Sequence, residues 1–189
     1  MKDLKIILAS NSPRRRELLK GLDIDFTVKV LPDIKESYPA DLPAAEVASY
    51  IAGEKADAYK DLLSEDEMVI TADTIVVLGT EILGKPKDEA DARRMLQELS
   101  GKTHQVITGV CMMTLEKRRV FSVITDVTFK EFTDDEITHY ITKYQPYDKA
   151  GAYGIQEWIG YIGVTALNGS YFNVMGFPVQ RIYSELQRW

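Results

Sequence analysis

The sequence predicts an α/β or α+β fold, on three observations. Short runs rich in β-branched residues alternate with segments of helical spacing. The helical segments open on recognisable caps. No internal repeat or low-complexity linker divides the 189 residues, a length that suits one domain able to bury its own core.

The elements follow in order. Residues 4–9, with Ile6 and Ile7, read as a buried strand. Ser12 is placed to cap a helix and Pro13 to take its first position, where the missing N–H costs nothing. That helix runs over 14–20 and stops at Gly21. Phe26, Val28 and Val30 alternate and predict a strand over 25–31. A polar loop then leads to a helix over 44–63 that carries Val47 and Ile51 on one side. Residues 68–78 are apolar except for Thr71-Ala72-Asp73-Thr74, two strand-like halves around an aspartate. Asp88, with Asp91 three residues on, caps a helix through Leu99 that Gly101 ends. Residues 106–115 and 120–129 predict a hairpin around the tip Glu116-Lys117-Arg118-Arg119. Thr133-Asp134-Asp135-Glu136 is a capping box, and the stripe Ile137, Tyr140, Ile141 and Tyr144 reads as core packing. A glycine- and aromatic-rich stretch over 151–172 precedes a last helix that closes at Trp189.

Composition excludes several classes. Hydrophobic residues at 45% and charged residues at 28% describe an ordinary globular protein. The single Cys111 forms neither an internal disulfide nor a thiolate zinc site, which makes a reducing, cytoplasmic compartment the expectation. His104 and His139 lie too far apart for a zinc-protease pattern. Ile6-Ile7-Leu8-Ala9 is too short for a signal peptide, and no apolar stretch approaches the roughly 18 residues of a membrane span. A net charge of -6 argues against a nucleic-acid coat. That charge is unevenly spread. Residues 1–30 hold seven basic groups, Lys2 among them, against four acidic ones, and residues 31–67 hold three against ten. The basic opening reads either as a local anion site or as a solvated helix face.

Four segments could carry chemistry. Ser10-Asn11-Ser12-Pro13-Arg14-Arg15 follows a strand and opens a helix, so it offers free N–H groups, hydroxyls and guanidinium forks to a phosphate. The bland alternative is a capped surface helix. Asp73 places a charge in an apolar run, which is costly unless that charge is paired or bound; an aspartate there also suits a satisfied turn. Gly79 through Lys85 has the G-x-x-x-x-G-K spacing, but Pro86 stands where the magnesium-binding hydroxyl belongs. Gly101-Lys102-Thr103 has Leu96 where the leading glycine belongs, so neither segment is a phosphate-binding P-loop. Lys85 remains a candidate phosphate contact. The run from Tyr144 to Gln156 is a tight loop whose terminal amide both donates and accepts. His104 reads as a core hydrogen-bonder.

Taken together, these segments resemble the Maf family of nucleoside triphosphate pyrophosphatases. The resemblance runs through Ser10-Asn11-Ser12-Pro13-Arg14-Arg15, Glu54-Lys55-Ala56, Ala72-Asp73-Thr74, Gly84-Lys85-Pro86 and Ser100-Gly101-Lys102-Thr103-His104. It continues through Asp148-Lys149-Ala150-Gly151-Ala152-Tyr153-Gly154-Ile155-Gln156, Asn168-Gly169-Ser170-Tyr171 and Gly176-Phe177-Pro178-Val179. Thr71 departs from the glycine that relatives often carry. The resemblance implies an α/β fold akin to inosine triphosphatases, a long bent mixed sheet with helices, in one domain over 1–189 with two lobes around a central cleft. It implies hydrolysis between the α and β phosphates with a divalent metal, magnesium or manganese. Asp73 matches the proton acceptor and, with Glu36, a metal carrier; Ser10, Ser12, Arg15, Lys55 and Lys85 match phosphate contacts. Arg14, Thr74 and Gln156 resemble the branch acting on dTTP and UTP, with modified pyrimidine triphosphates as further substrates in a house-cleaning role. The 7-methyl-GTP branch and a nucleotide-binding regulator of septum formation are the alternatives. A homodimer is implied; nucleic-acid and membrane partners are not.

Overall fold

The computed structural model describes residues 4–189, so Lys2 lies outside it. The elements are β1 (Lys5–Leu8), α1 (Pro13–Lys20), β2 (Phe26–Val28), α2 (Ala44–Asp57), β3 (Glu67–Leu78), β4 (Glu81–Leu83) and α3 (Glu89–Leu99). Then come β5 (Thr103–Met113), β6 (Arg118–Phe129), α4 (Asp134–Tyr144), α5 (Trp158–Gly163), β7 (Val164–Asn168), α6 (Tyr171–Val174) and α7 (Val179–Gln187). The strands form one mixed sheet ordered β2-β1-β3-β5-β6-β7, with β4 paired to β3. β1 is parallel to both β2 and β3, whereas β3–β4 and β6–β7 are antiparallel.

The chain divides into two compact units, and β3, β5 and β6 each continue from one into the other. The first comprises Met1–Thr74, Thr108–Val123 and Gly176–Trp189. Its core gathers Ile7 and Val69 of the sheet with Ala52, Ala56 and Tyr59. Small residues on α2 let the helix lie hard against β5. A Cβ added at Gly109 would stand 2.2 Å from the backbone of Ala48 and Ser49, so only glycine fits there. The second unit comprises Ile75–Ile107 and Ile124–Met175. α3 and α4 bury Met95, Leu96, Leu99, Ile137, Tyr140 and Ile141 against Val127 and Phe129 of β6.

Several sequence expectations are corrected. β3 is one unbroken strand, so Asp73 is not a turn residue. β-branched neighbours on both sides and pairing of Glu67–Ile70 with β1 outweigh its turn preference. β2 is shorter than 25–31, because the Tyr59 hydroxyl donates to Lys29 O at 2.9 Å and accepts the Leu31 N–H at 3.0 Å, taking backbone groups a longer strand would pair. For the same reason α2 ends at Asp57 rather than 63, as the chain turns to bury Tyr59. The hairpin tip lies at Thr114–Lys117, closed by Thr114 N–H to Lys117 O at 2.8 Å, and Arg118 and Arg119 belong to β6. Other expectations hold. Ser12 caps α1, Asp88 caps α3, and both halves of the Thr133–Glu136 capping box are present.

The last helix is tied down by one carboxylate. Glu185 on α7, 8% exposed, accepts from Arg181 Nε at 2.8 Å and from Arg119 of β6. The Arg181 hydrogen bond, with Arg119 behind it, lowers the Glu185 pKa from its ordinary value. A depressed carboxylate stabilises the fold above its unfolded pKa and loses that contribution as pH falls through the folded one. Glu185→Gln is therefore expected to destabilise the protein at pH 7 by about 2 kcal/mol. In urea titrations the difference from wild type should shrink steadily as the pH is lowered below about 4.3.

Candidate active site

In the first unit, β3 runs past the carboxyl end of β1, where α1 begins. In parallel sheets the ends of strands with such helix starts are where ligands collect. Ser10 is buried, and its hydroxyl oxygen accepts the Ser12 N–H at 3.2 Å. Ser12 in turn accepts the Arg15 N–H at 3.4 Å. Both hydroxyls act as acceptors in these contacts, which leaves their own protons to donate elsewhere. α1 has no acidic residue in its first turn but carries Arg14, Arg15 and Arg16 there. Cations are unfavourable at the positive end of a helix, so this arrangement favours an anion that would complete it.

Arg15 is the structural hinge of the cluster. Its Nε donates to Gly176 O at 2.8 Å, Nη1 to Ala72 O at 3.2 Å and Nη2 to Thr74 Oγ1 at 3.0 Å. Three of five N–H donors are thereby used, and two remain. Burial lowers its pKa from the usual range, opposed by the charge of Asp73, yet a guanidinium stays protonated. Thr74 is saturated: besides Arg15, its hydroxyl meets Thr108 Oγ1 at 2.9 Å and Gly176 O at 3.4 Å.

Lys55, on the last turn of α2, reaches three acceptors. Its ammonium donates to Glu36 Oε1 at 2.8 Å, Asp73 Oδ1 at 3.1 Å and Ala72 O at 3.3 Å. Glu36 comes from the loop after β2. Leu31 and Ile34 of that loop pack on the core, and Tyr59 holds its start. The Asp73 side chain is 13% exposed. Burial raises its pKa, with Lys55 and Arg15 pulling it down and Glu36 adding to the rise. The result is a partly desolvated carboxylate held between two cations, a group suited to accepting a proton. Among the described residues no three His, Cys, Asp or Glu side chains gather into a metal cluster.

The second unit holds Lys85 and Gln156. Lys85 is exposed on the loop after β4, and Gly84 O of that loop accepts the Gly151 N–H at 3.1 Å. The loops of Lys85 and Gln156 are thus stapled together. A Cβ at Gly151 would lie 2.9 Å from Val76, and its φ of +71° lies in the left-handed region that favours glycine. Gln156 has a buried Oε1 without a hydrogen-bond partner. His104 is the core residue its sequence context suggests. It is 1% exposed, bonded through Nε2 to Tyr153 Oη at 2.5 Å, and burial lowers its pKa to about 4.

A family model described as Maf-like protein matches residues 5–189. The chain belongs to the Maf family. It is 62% identical over 184 residues to a protein of Phocaeicola vulgatus named dTTP/UTP pyrophosphatase, covering 97% of this chain and 95% of that one. A protein of the same name from Parabacteroides distasonis is 57% identical, covering 100% of this chain and 98% of its own. Among solved structures, a HAM1 protein from Coxiella burnetii superposes with a TM-score of 0.51 at 16% identity, over 98% of this chain and all of that one. That likeness concerns the fold, an α/β arrangement with a mixed sheet.

For the Maf chain, the first unit gathers Ser10, Ser12, Arg15, Glu36, Lys55, Asp73 and Thr74 around the start of α1, with Arg14 beside Arg15 on its first turn. Sequence reading missed the groups that hold them in place: Thr108, Tyr59 and the Gly176 carbonyl. Only Gly176 carried a signal, as part of a quoted motif. Thr74→Val, nearly isosteric, removes the hydroxyl that Arg15 and Thr108 share. It is expected to cost about 1–3 kcal/mol because both partners lose a bond. Thr74→Ser should recover most of this, measured as the urea midpoint at unchanged m-value.

Proposed function

We propose that this chain hydrolyses nucleoside triphosphates, dTTP and UTP above all, to the nucleoside monophosphate and diphosphate. The observation that carries the reading is Asp73, a carboxylate on a buried strand, braced by Lys55 and neighbouring the serine-capped, arginine-rich start of α1. Relatives at 62% and 57% identity that bear the name dTTP/UTP pyrophosphatase support it.

The roles follow from the donors each group has to offer. The hydroxyl protons of Ser10 and Ser12, the N–H groups opening α1 and the two remaining N–H groups of Arg15 bind phosphate oxygens. Arg14 adds charge at the same helix start. Thr74 acts on specificity through Arg15, since its own hydroxyl is fully engaged. Lys85 is a further charge for the phosphates. Gln156 reads the pyrimidine edge, where N3–H sits between two carbonyls and matches an amide. A 5-methyl group leaves that edge unchanged, so modified pyrimidine triphosphates fit the same proposal. In the chemical step Asp73 accepts a proton from water as the water oxygen bonds to the α-phosphorus. The bond from that phosphorus to the bridging oxygen breaks, and diphosphate leaves with the bond's electron pair.

Glu36 and Asp73 would hold the divalent metal. They are hard oxygen donors already drawn to one cation, the Lys55 ammonium, and magnesium is usually held by one or two carboxylates together with substrate phosphates. When bound, the metal supplies charge neutralisation and Lewis acidity at the phosphates.

Asp73→Asn is expected to lower kcat by about 10³-fold while equilibrium binding of UTP survives. Undiminished turnover would make another group the base. Diphosphate release from a nucleotide panel tests the base preference: release mainly from purine nucleotides would overturn it and leave the reaction class standing. Removing the metal with EDTA should abolish turnover. Lys55→Met frees two carboxylates from an internal cation, so binding of Mn²⁺ alone, followed by its paramagnetic resonance signal, should tighten on the order of tenfold.

A further inference from the structure

The Gln156 carbonyl oxygen is buried and unpaired, an acceptor in want of a donor. A side chain that reads a base edge must be held in one orientation by its surroundings. Here the surroundings form a polar network built on Tyr140, whose place in a helical stripe suggests mere core packing. Tyr140 is fully buried on α4. Its phenolic oxygen accepts the Gly154 N–H at 3.0 Å and donates to Glu157 Oε1 at 2.8 Å. Lys149 Nζ lies 3.5 Å from the same Glu157 oxygen and 3.0 Å from Asp148. The Glu157 N–H closes the turn onto Gly154 O at 3.0 Å.

The backbone before Gln156 and the side chain after it therefore converge on one phenol oxygen. A Cβ at Gly154 would lie 2.7 Å from Glu157 Oε1 and 3.1 Å from Lys149 Cε, so glycine there leaves room for the Glu157 carboxylate and the Lys149 stem. The Tyr140 ring is itself stacked on Tyr144 at 5.2 Å between centroids, so its position is set independently of the hydroxyl.

We propose that Tyr140 is a positioning residue for base recognition, fixing the Gln156 amide through Gly154 and Glu157 for the hydrogen-bonding edge of uracil or thymine. The inference rests on Gln156 reading the base, as proposed above. Lys149 completes the device by holding the Glu157 carboxylate toward the phenol.

Tyr140→Phe keeps the ring and removes both hydrogen bonds, and Glu157→Gln keeps an acceptor but loses the charge facing Lys149. Steady-state kinetics with UTP and CTP, whose cytosine has no N3–H, would be measured beside thermal stability and a Gln156→Ala control. The expected result for Tyr140→Phe is a loss of about tenfold in the UTP-over-CTP ratio of kcat/KM. It should arise from a higher KM for UTP, with kcat for UTP within twofold of wild type. Glu157→Gln should shift the ratio in the same direction by less. If Gln156→Ala collapses the ratio while folded Tyr140→Phe keeps it, the positioning role is overturned. If Gln156→Ala itself leaves the ratio intact, it is the base reading that fails. Should Tyr140→Phe not fold, Glu157→Gln decides, and an unchanged ratio in that variant overturns the proposal.

Discussion

A carboxylate on a buried strand imposes a charge that the fold must answer, and much of the first unit can be read as the answer. Asp73 sits where β3 outruns β1, beside Thr71 and Thr74, whose hydroxyls bond Ala52, Arg15 and Thr108 instead. Lys55 reaches it from α2, and the Arg15 guanidinium lends it charge from α1. Each cation must then be held in turn. Arg15 is anchored on Ala72, Thr74 and Gly176, which draws β3 and the segment before α7 to the start of α1. Lys55 spends its remaining donors on Glu36 and Ala72, which draws in the loop after β2. An unpaired buried charge is costly and a paired one roughly breaks even. The network is therefore better explained by what it does for Asp73 than by what it adds to stability.

The second unit solves a different problem with neutral groups. Among its buried polar atoms without a hydrogen-bond partner is the Gln156 amide oxygen rather than a charge, and such an oxygen tolerates burial only at a cost that a bound donor would offset. The surrounding bonds fix where that oxygen lies without satisfying it. Tyr140, Glu157 and Lys149 secure the turn, and the Gly84–Gly151 bond secures the loop before it. A rigid frame around an unmet acceptor is the form expected of a site that selects its ligand by hydrogen bonding.

Local chemistry was legible wherever neighbours in sequence are also partners in space. The Ser12 cap, the Asp88 cap and the Thr133–Glu136 box satisfy backbone groups within three residues, so their side chains announce them. Where the partner is remote, the reading erred or fell silent. A turn at Asp73, the local alternative to a paired buried charge, is ruled out by the unbroken strand β3. The ends of β2 and α2 were set by Tyr59, whose hydroxyl acts 28 and 30 residues away. Tyr140 matched a packing stripe because periodicity records which face a residue occupies, not what its hydroxyl touches.

By itself the sequence determined the family, most strands and helices outside β4 and the stretch over 151–172, and the short list of groups with phosphate and base chemistry, since residue identity fixes which donors, acceptors and charges exist. Tertiary structure alone decided how those groups are spent. It gave Thr74 to Arg15 and Thr108, shared Lys55 between two carboxylates, and left the Gln156 oxygen unpaired. Hydrogen-bond capacity belongs to the residue, but its use depends on groups brought within about 3 Å by folding, and no local pattern encodes that proximity.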